Sequence, residues 1–131
     1  DESPEEKLNA YGNAERARIP YSNPGSIYDI TMDNSHPLAF GYGEAYRSLK
    51  LGSSAYQYLG EGWNVGVAKP GARRSGFTGY KAEKALENSL TFGVQDMGSG
   101  EVVYMIDNPL FRGFWHNGKL LFGNAVFFVG N

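Results

Sequence analysis

Apolar and polar positions alternate from Ser26 to Met32, with Ile27, Ile30 and Met32 set among Tyr28, Asp29 and Thr31. That period predicts a strand, entered through the turn Asn23-Pro24-Gly25. Ala45 to Leu51 and Ala55 to Leu59 predict two short strands, divided by Gly52-Ser53-Ser54. Asn64 to Ala68 predicts another, ended by Lys69-Pro70-Gly71. Lys81 to Asn88 is rich in Ala, Lys, Glu and Leu and predicts a short helix. Leu90 to Met97 and Glu101 to Asp107 flank Gly98-Ser99-Gly100, which predicts a hairpin closed by a glycine turn. Asn108-Pro109 breaks the second of these strands. From Gly118 the chain is apolar on nearly every side, which predicts a buried helix of about ten residues ending near Gly130. Ala125 to Val129 taken alone also fits a strand.

The remaining segments are more polar. Ser3-Pro4-Glu5-Glu6 is a helix start: serine caps, proline takes the first helical position, and a glutamate follows three residues after the cap. Leu8 and Tyr11 add a thin apolar stripe, Gly12 weakens the helix, and Pro20 ends it, so residues 1–20 read as a helix and linker. Asp33 to Pro37 is a loop from which Leu38 to Tyr42 leads out, and Ser75 to Tyr80 is a glycine-hinged loop. The expected fold class is α/β, with a mixed sheet, a C-terminal β-hairpin and a closing helix.

A chain of 131 residues makes one domain with a real core. Eighteen glycines imply many tight turns, and nine tyrosines imply half-buried aromatic surfaces. The net charge of −2, with both signs scattered, is no footprint for nucleic acid. The basic pair Arg73-Arg74, near Lys69, reads as an exposed loop. The absence of cysteine excludes disulfides and thiolate sites. The longest apolar run, Leu120 to Val129, falls far short of the roughly 20 residues that span a bilayer. No signal-peptide pattern opens the chain, which starts at Asp1 without a methionine; it is expected to be a trimmed C-terminal piece of a longer protein.

Little in the chain points to catalysis. Its two histidines, His36 and His116, lack metal-ligand spacing or a ring of carboxylates. His36 is expected to be a loop residue that hydrogen-bonds backbone. No G-x-S-x-G nucleophile elbow occurs, and nothing singles out a triad of Ser75, His36 and Asp107. Gly71 to Gly79 has no dinucleotide or Walker pattern and reads as a surface loop. Arg112, between Phe111 and Trp115, can stack on an aromatic face and hold a carboxylate through its planar fork. Its alternative role, the one expected, is internal: a pair with Asp107, or capping of nearby carbonyls. Arg112, Trp115 and His116 are the candidate ligand-binding residues. The aromatic residues Phe111, Phe114 and Trp115, like Trp63 and Tyr80, equally suit a core or an interface.

Several segments together resemble the C-terminal region of large secreted zinc carboxypeptidase-like proteins (carboxypeptidase A type) of Bacteroidetes-like bacteria. They are Gly25-Ser26-Ile27, Asp33 to Tyr42, Ser75-Gly76-Phe77, Gly98 to Val103, Asn108 to Trp115 and Leu120 to Ala125. The resemblance runs from Pro20 onward. It implies the last part of a domain similar to class I glutamine amidotransferases, with a partial flavodoxin-like architecture. It also implies that the zinc-binding peptidase domain lies upstream, so that zinc belongs there and this chain holds no cofactor. The family's H-x-x-E zinc ligands and the amidotransferase cysteine have no counterpart here, so no catalytic residue carries over.

The expected function is therefore a non-catalytic accessory domain of an exported metallopeptidase that removes C-terminal residues from peptides. Its expected partner is the upstream peptidase domain of the same polypeptide. A face that once packed upstream would be bare and available for a homodimer. The alternative is a free-standing peptide- or carbohydrate-binding module, suggested by the tyrosine and tryptophan content and the glycine loops.

Overall fold

The computed structural model describes residues 11–72, 74–113 and 115–130. The helix start expected at Ser3 to Glu6, with Leu8, lies outside them, as do Arg73 and Phe114. A short helix α1 (Ala14–Arg18) and a 3₁₀ turn (Ile19–Tyr21) precede the sheet. Its strands are β1 (Gly25–Met32), β2 (Ala45–Lys50), β3 (Trp63–Ala68), β4 (Arg74–Phe77), β5 (Ser89–Met97) and β6 (Gly100–Met105). Helix α2 (Tyr80–Leu86) lies between β4 and β5, and α3 (Lys119–Phe127) closes the chain.

The order of the sheet is β2-β1-β3-β5-β6, with β4 also paired to β1. The α/β composition, the hairpin and the closing helix stand as expected. The mixed sheet does not: all five pairings are antiparallel. Parallel neighbours need a long crossover, normally helical, and the one helix between strands, α2, joins β4 to β5, which are not neighbours in the sheet.

Strands β3 and β4 together flank one side of β1. Thr31 faces Val67 but Tyr28 faces Arg74, so three steps along β1 match seven along the other chain and four residues are looped out. The glycine-hinged loop expected from Ser75 thus begins inside a strand. Two other expectations also give way. Ala55 to Leu59 forms no strand; it lies against β5, held by the Leu90 N–H to Tyr56 O bond and by Asn64, which clasps both backbone groups of Leu59. Gly100 pairs with Met97, so the hairpin turn is only Gly98-Ser99, with Gly98 at φ 63°.

One face of the sheet builds the core. Along β1, Tyr28, Ile30 and Met32 point inward while Ile27, Asp29 and Thr31 point out. Tyr46 of β2 meets Phe92 of β5 edge to face at 5.3 Å. Leu38 and Ala39, on the 3₁₀ turn Pro37–Ala39, fill the same core with Val65, Leu86, Val94 and Leu121. Helix α3 docks here through buried Asn124, whose side-chain amide donates to Leu38 O (2.9 Å) and Phe40 O (2.8 Å). Its expected burial all round is not seen: Leu121 and Asn124 are the buried residues of the helix, and its far side faces solvent. One sheet face covers only one side of a helix.

Candidate functional site

The segment after β6 places the candidate residues. The Ile106 N–H continues the ladder to Thr91 O, and Asn108 caps the turn by accepting from the Leu110 N–H. Arg112 then takes a left-handed conformation, φ 49°, unusual for a residue with a Cβ. Past it the chain runs along the outer edge of β2, where the Asn117 side chain donates to Arg47 O at 3.1 Å and Tyr42 donates its hydroxyl to Asn117 O at 2.6 Å. Trp115 is half-buried at this edge.

Beside Trp115 the outer face of the sheet forms an open groove of about 540 Å³, lined also by Ile27, Asp29, Arg47, Arg74 and Ser75. Register explains the assembly. Asp29 sits opposite Arg47 and Ile27 opposite Ser75, and all four alternate outward. Arg47 Nε lies 3.5 Å from Asp29 Oδ1 in an exposed pair, a type that contributes little to stability. Arg74 is held by both carboxylate oxygens of Glu83 at 2.8 Å each. Those bonds push its guanidinium pKa up further, by favouring the charged form.

The indole N–H of Trp115 is buried without a hydrogen-bond partner. It sits near enough to the Tyr46 hydroxyl to favour its ionised form, although the contact falls short of a regular hydrogen bond. Burial is the larger influence on Tyr46 and raises its pKa to about 12, so Tyr46 is a neutral core phenol and not an acid–base group.

Of the sequence candidates, only Trp115 lines this groove. Arg112 is exposed and lies over its neighbour Phe111, with 5.2 Å from guanidinium carbon to ring centre. It does not pair with Asp107: that carboxylate is taken by Lys50 at 3.0 Å and by the Ser48 hydroxyl. His116 is exposed in a 3₁₀ turn. Asp29, Arg47, Ser48 and Lys50 were not singled out by the sequence. Their one signal is position on predicted strands, which leaves open which face they take.

His36 lines a different depression, of about 470 Å³, with Asn34, Ser35, Pro37, Phe40 and Phe128. Its Nδ1 accepts the Leu38 N–H at 3.1 Å, the backbone bond expected of it. Burial pushes its pKa below the ordinary value, against the opposing charges of Asp33 and Glu101. Ser75, His36 and Asp107 therefore stand in three different places and form no triad. Among the described residues no group of three or more His, Asp or Glu side chains is placed to hold a metal, and no helix is long and apolar enough to cross a membrane. The groove offers an indole and paired planar polar groups, a set suited to binding. No protein-family model, no curated protein and no solved structure matches this chain.

Proposed function

We propose that this chain is a non-catalytic binding module whose groove beside Trp115 takes a neutral carbohydrate. The carrying observation is the indole of Trp115 beside the Asp29–Arg47 pair and Ser75. A sugar ring presents an apolar C–H face and a rim of hydroxyls. An aromatic side chain suits the first, and fixed, charge-compensated carboxylate and guanidinium groups suit the second, because each keeps spare acceptors or donors. With Asp29 on Arg47 and Glu83 on Arg74, the groove has no uncompensated cation among its described lining residues to favour an anion.

Thermal unfolding of the chain with a panel of neutral oligosaccharides tests this. A ligand at 100-fold its Kd stabilises by about 2.7 kcal/mol. The expected shift is lost in Arg47→Ala, whose side chain is exposed and unimportant to the core. No shift with any oligosaccharide, or an equal shift in Arg47→Ala and Trp115→Ala, overturns the reading. A shift with peptides alone makes the ligand a peptide.

A second reading is favoured by the N-terminal region. Among its described residues, 11–18 bury no side chain in this domain, as suits a connection packed elsewhere. In that reading the chain is an accessory domain of an exported zinc carboxypeptidase-like protein, with zinc and catalysis in an upstream domain of the same polypeptide. Descent from an amidotransferase- or flavodoxin-like domain belongs to the same reading, and the antiparallel sheet lends it no support. Its test is the mass and metal content of the native protein. A zinc-bearing species several times heavier than 14.4 kDa supports it; a zinc-free species of that mass excludes it.

A further inference from the structure

Apart from Lys119 at its start and the buried Asn124, helix α3 is apolar around its circumference, yet its buried residues are Leu121 and Asn124. Helical spacing puts Phe122, Gly123 and Val126 on the opposite side, flanked by Leu120 and Phe127. Phe128 and Phe40 extend this surface, their rings meeting edge to face at 5.5 Å. Leu120 joins the helix to the same region, since its Cδ2 lies 2.7 Å from where a Cβ on Gly41 would stand. Six large apolar residues, Phe40, Leu120, Phe122, Val126, Phe127 and Phe128, are each between 44% and 72% exposed.

We propose that this surface joins two copies of the chain, with the two α3 helices crossing at Gly123. Area is the first argument. A full aromatic side chain covers about 150–250 Å², so these fractions leave roughly 600 Å² of apolar surface on one copy. That is the upper end of what a monomer exposes in one patch. Two such surfaces together reach about 1,200 Å², the lower bound of a specific interface.

Gly123 is the second argument. A glycine inside a helix costs about 1 kcal/mol relative to alanine. Apart from the helix's own backbone, no described residue lies within 4 Å of the position its Cβ would occupy. Packing against the described residues therefore does not call for glycine there, and its φ is not in the left-handed range. A second helix crossing at that point does call for it, because the missing side chain lets two backbones approach. A two-fold antiparallel crossing also suits the one charge on the helix: it places Lys119 of each copy at opposite ends of the contact.

Sedimentation equilibrium of the whole chain over a wide concentration range tests the proposal. The expected result is reversible association to twice the 14.4 kDa chain mass. Phe127→Glu should raise the dissociation constant at least tenfold while leaving the fold intact, because Phe127 is the most exposed of the six. Gly123→Ala separates the crossing from mere stickiness: it should leave or raise thermal stability measured under monomeric conditions, and weaken the dimer at least tenfold. A chain that stays monomeric at every concentration overturns the proposal. So does a dimer indifferent to both substitutions. A dimer weakened by Phe127→Glu but not by Gly123→Ala overturns the crossing at Gly123.

Discussion

The Lys50 ammonium stands 3.0 Å from Asp107 Oδ2, with the two side chains only 3% and 10% exposed. Lys50 ends β2 and Asp107 follows β6, the two edge strands of the sheet. The pair thus ties together the borders of the sheet beneath its core face, and Ser48 donates to the same carboxylate oxygen. Breaking such a pair leaves one buried charge uncompensated, at a cost of about 3–5 kcal/mol. Lys50→Met and Asp107→Asn should each lower stability by that order in urea unfolding. The double variant Lys50→Met/Asp107→Leu should recover most of the loss. Equal losses in all three would assign the effect to packing.

His36 predicts a pH dependence. Its neutral ring caps the turn that carries Leu38 and Ala39, and burial holds its folded pKa below the ordinary 6.5. The unfolded chain then takes up the proton first as pH falls. Stability from this group is complete above about pH 6.5 and declines below it, levelling once the folded ring is also protonated. Asp33, held below its usual range by the Ser35 hydroxyl and N–H, adds its loss only at more acid pH. Denaturant midpoints between about pH 7.5 and 5 should fall, and His36→Asn should flatten the slope in that window. An unchanged slope in the variant would show that His36 is not its source.

Tyr42 serves α3 from outside the helix. Its hydroxyl accepts the Leu121 N–H at 2.9 Å and donates to Asn117 O. Tyr42→Phe keeps the shape and strands the Leu121 amide, with an expected loss of about 1–3 kcal/mol. Faster hydrogen exchange at Leu121 should accompany it.

Two glycines near each other in sequence should respond in opposite directions. A Cβ on Gly118 would collide with the backbone carbonyl of Pro109, which has no freedom to give way. Gly118→Ala should therefore cost about 1–3 kcal/mol or more. Under monomeric conditions Gly123→Ala meets no described neighbour outside the helix's own backbone and should gain up to about 1 kcal/mol. Thermal melts of both variants at low concentration check the contrast.

The strands with a clean period were legible in the sequence: Ser26 to Met32, Asn64 to Ala68 and the hairpin all emerge within a residue or two. What misled was chemistry that overrides pattern. In β2 the apolar Leu49 points outward and the polar Ser48 and Lys50 point in, because Asp107, far along the chain, receives them. No local rule exposes that. Arg74 to Phe77 holds a central glycine and reads as a loop, yet β1 offers it a ladder. The groove was half legible: Trp115 was singled out, but Asp29 and Arg47 become neighbours only through the β1/β2 register.

The residues looped out between β3 and β4 carry a consequence for how this domain tolerates change. Lys69, Pro70 and Gly71 are exposed, and no described atom lies within 4 Å of where a Cβ on Gly71 would stand, although its φ of 72° favours keeping the glycine itself. The pairings on either side are fixed by β1 and not by the length of the link. Residues can therefore be gained or lost there without shifting a single rung of the ladder. This is the graft point of the fold: a site at Lys69 to Gly71 for a tag, a reporter or a foreign loop, displayed beside the sheet ahead of Ala72, which packs against the core.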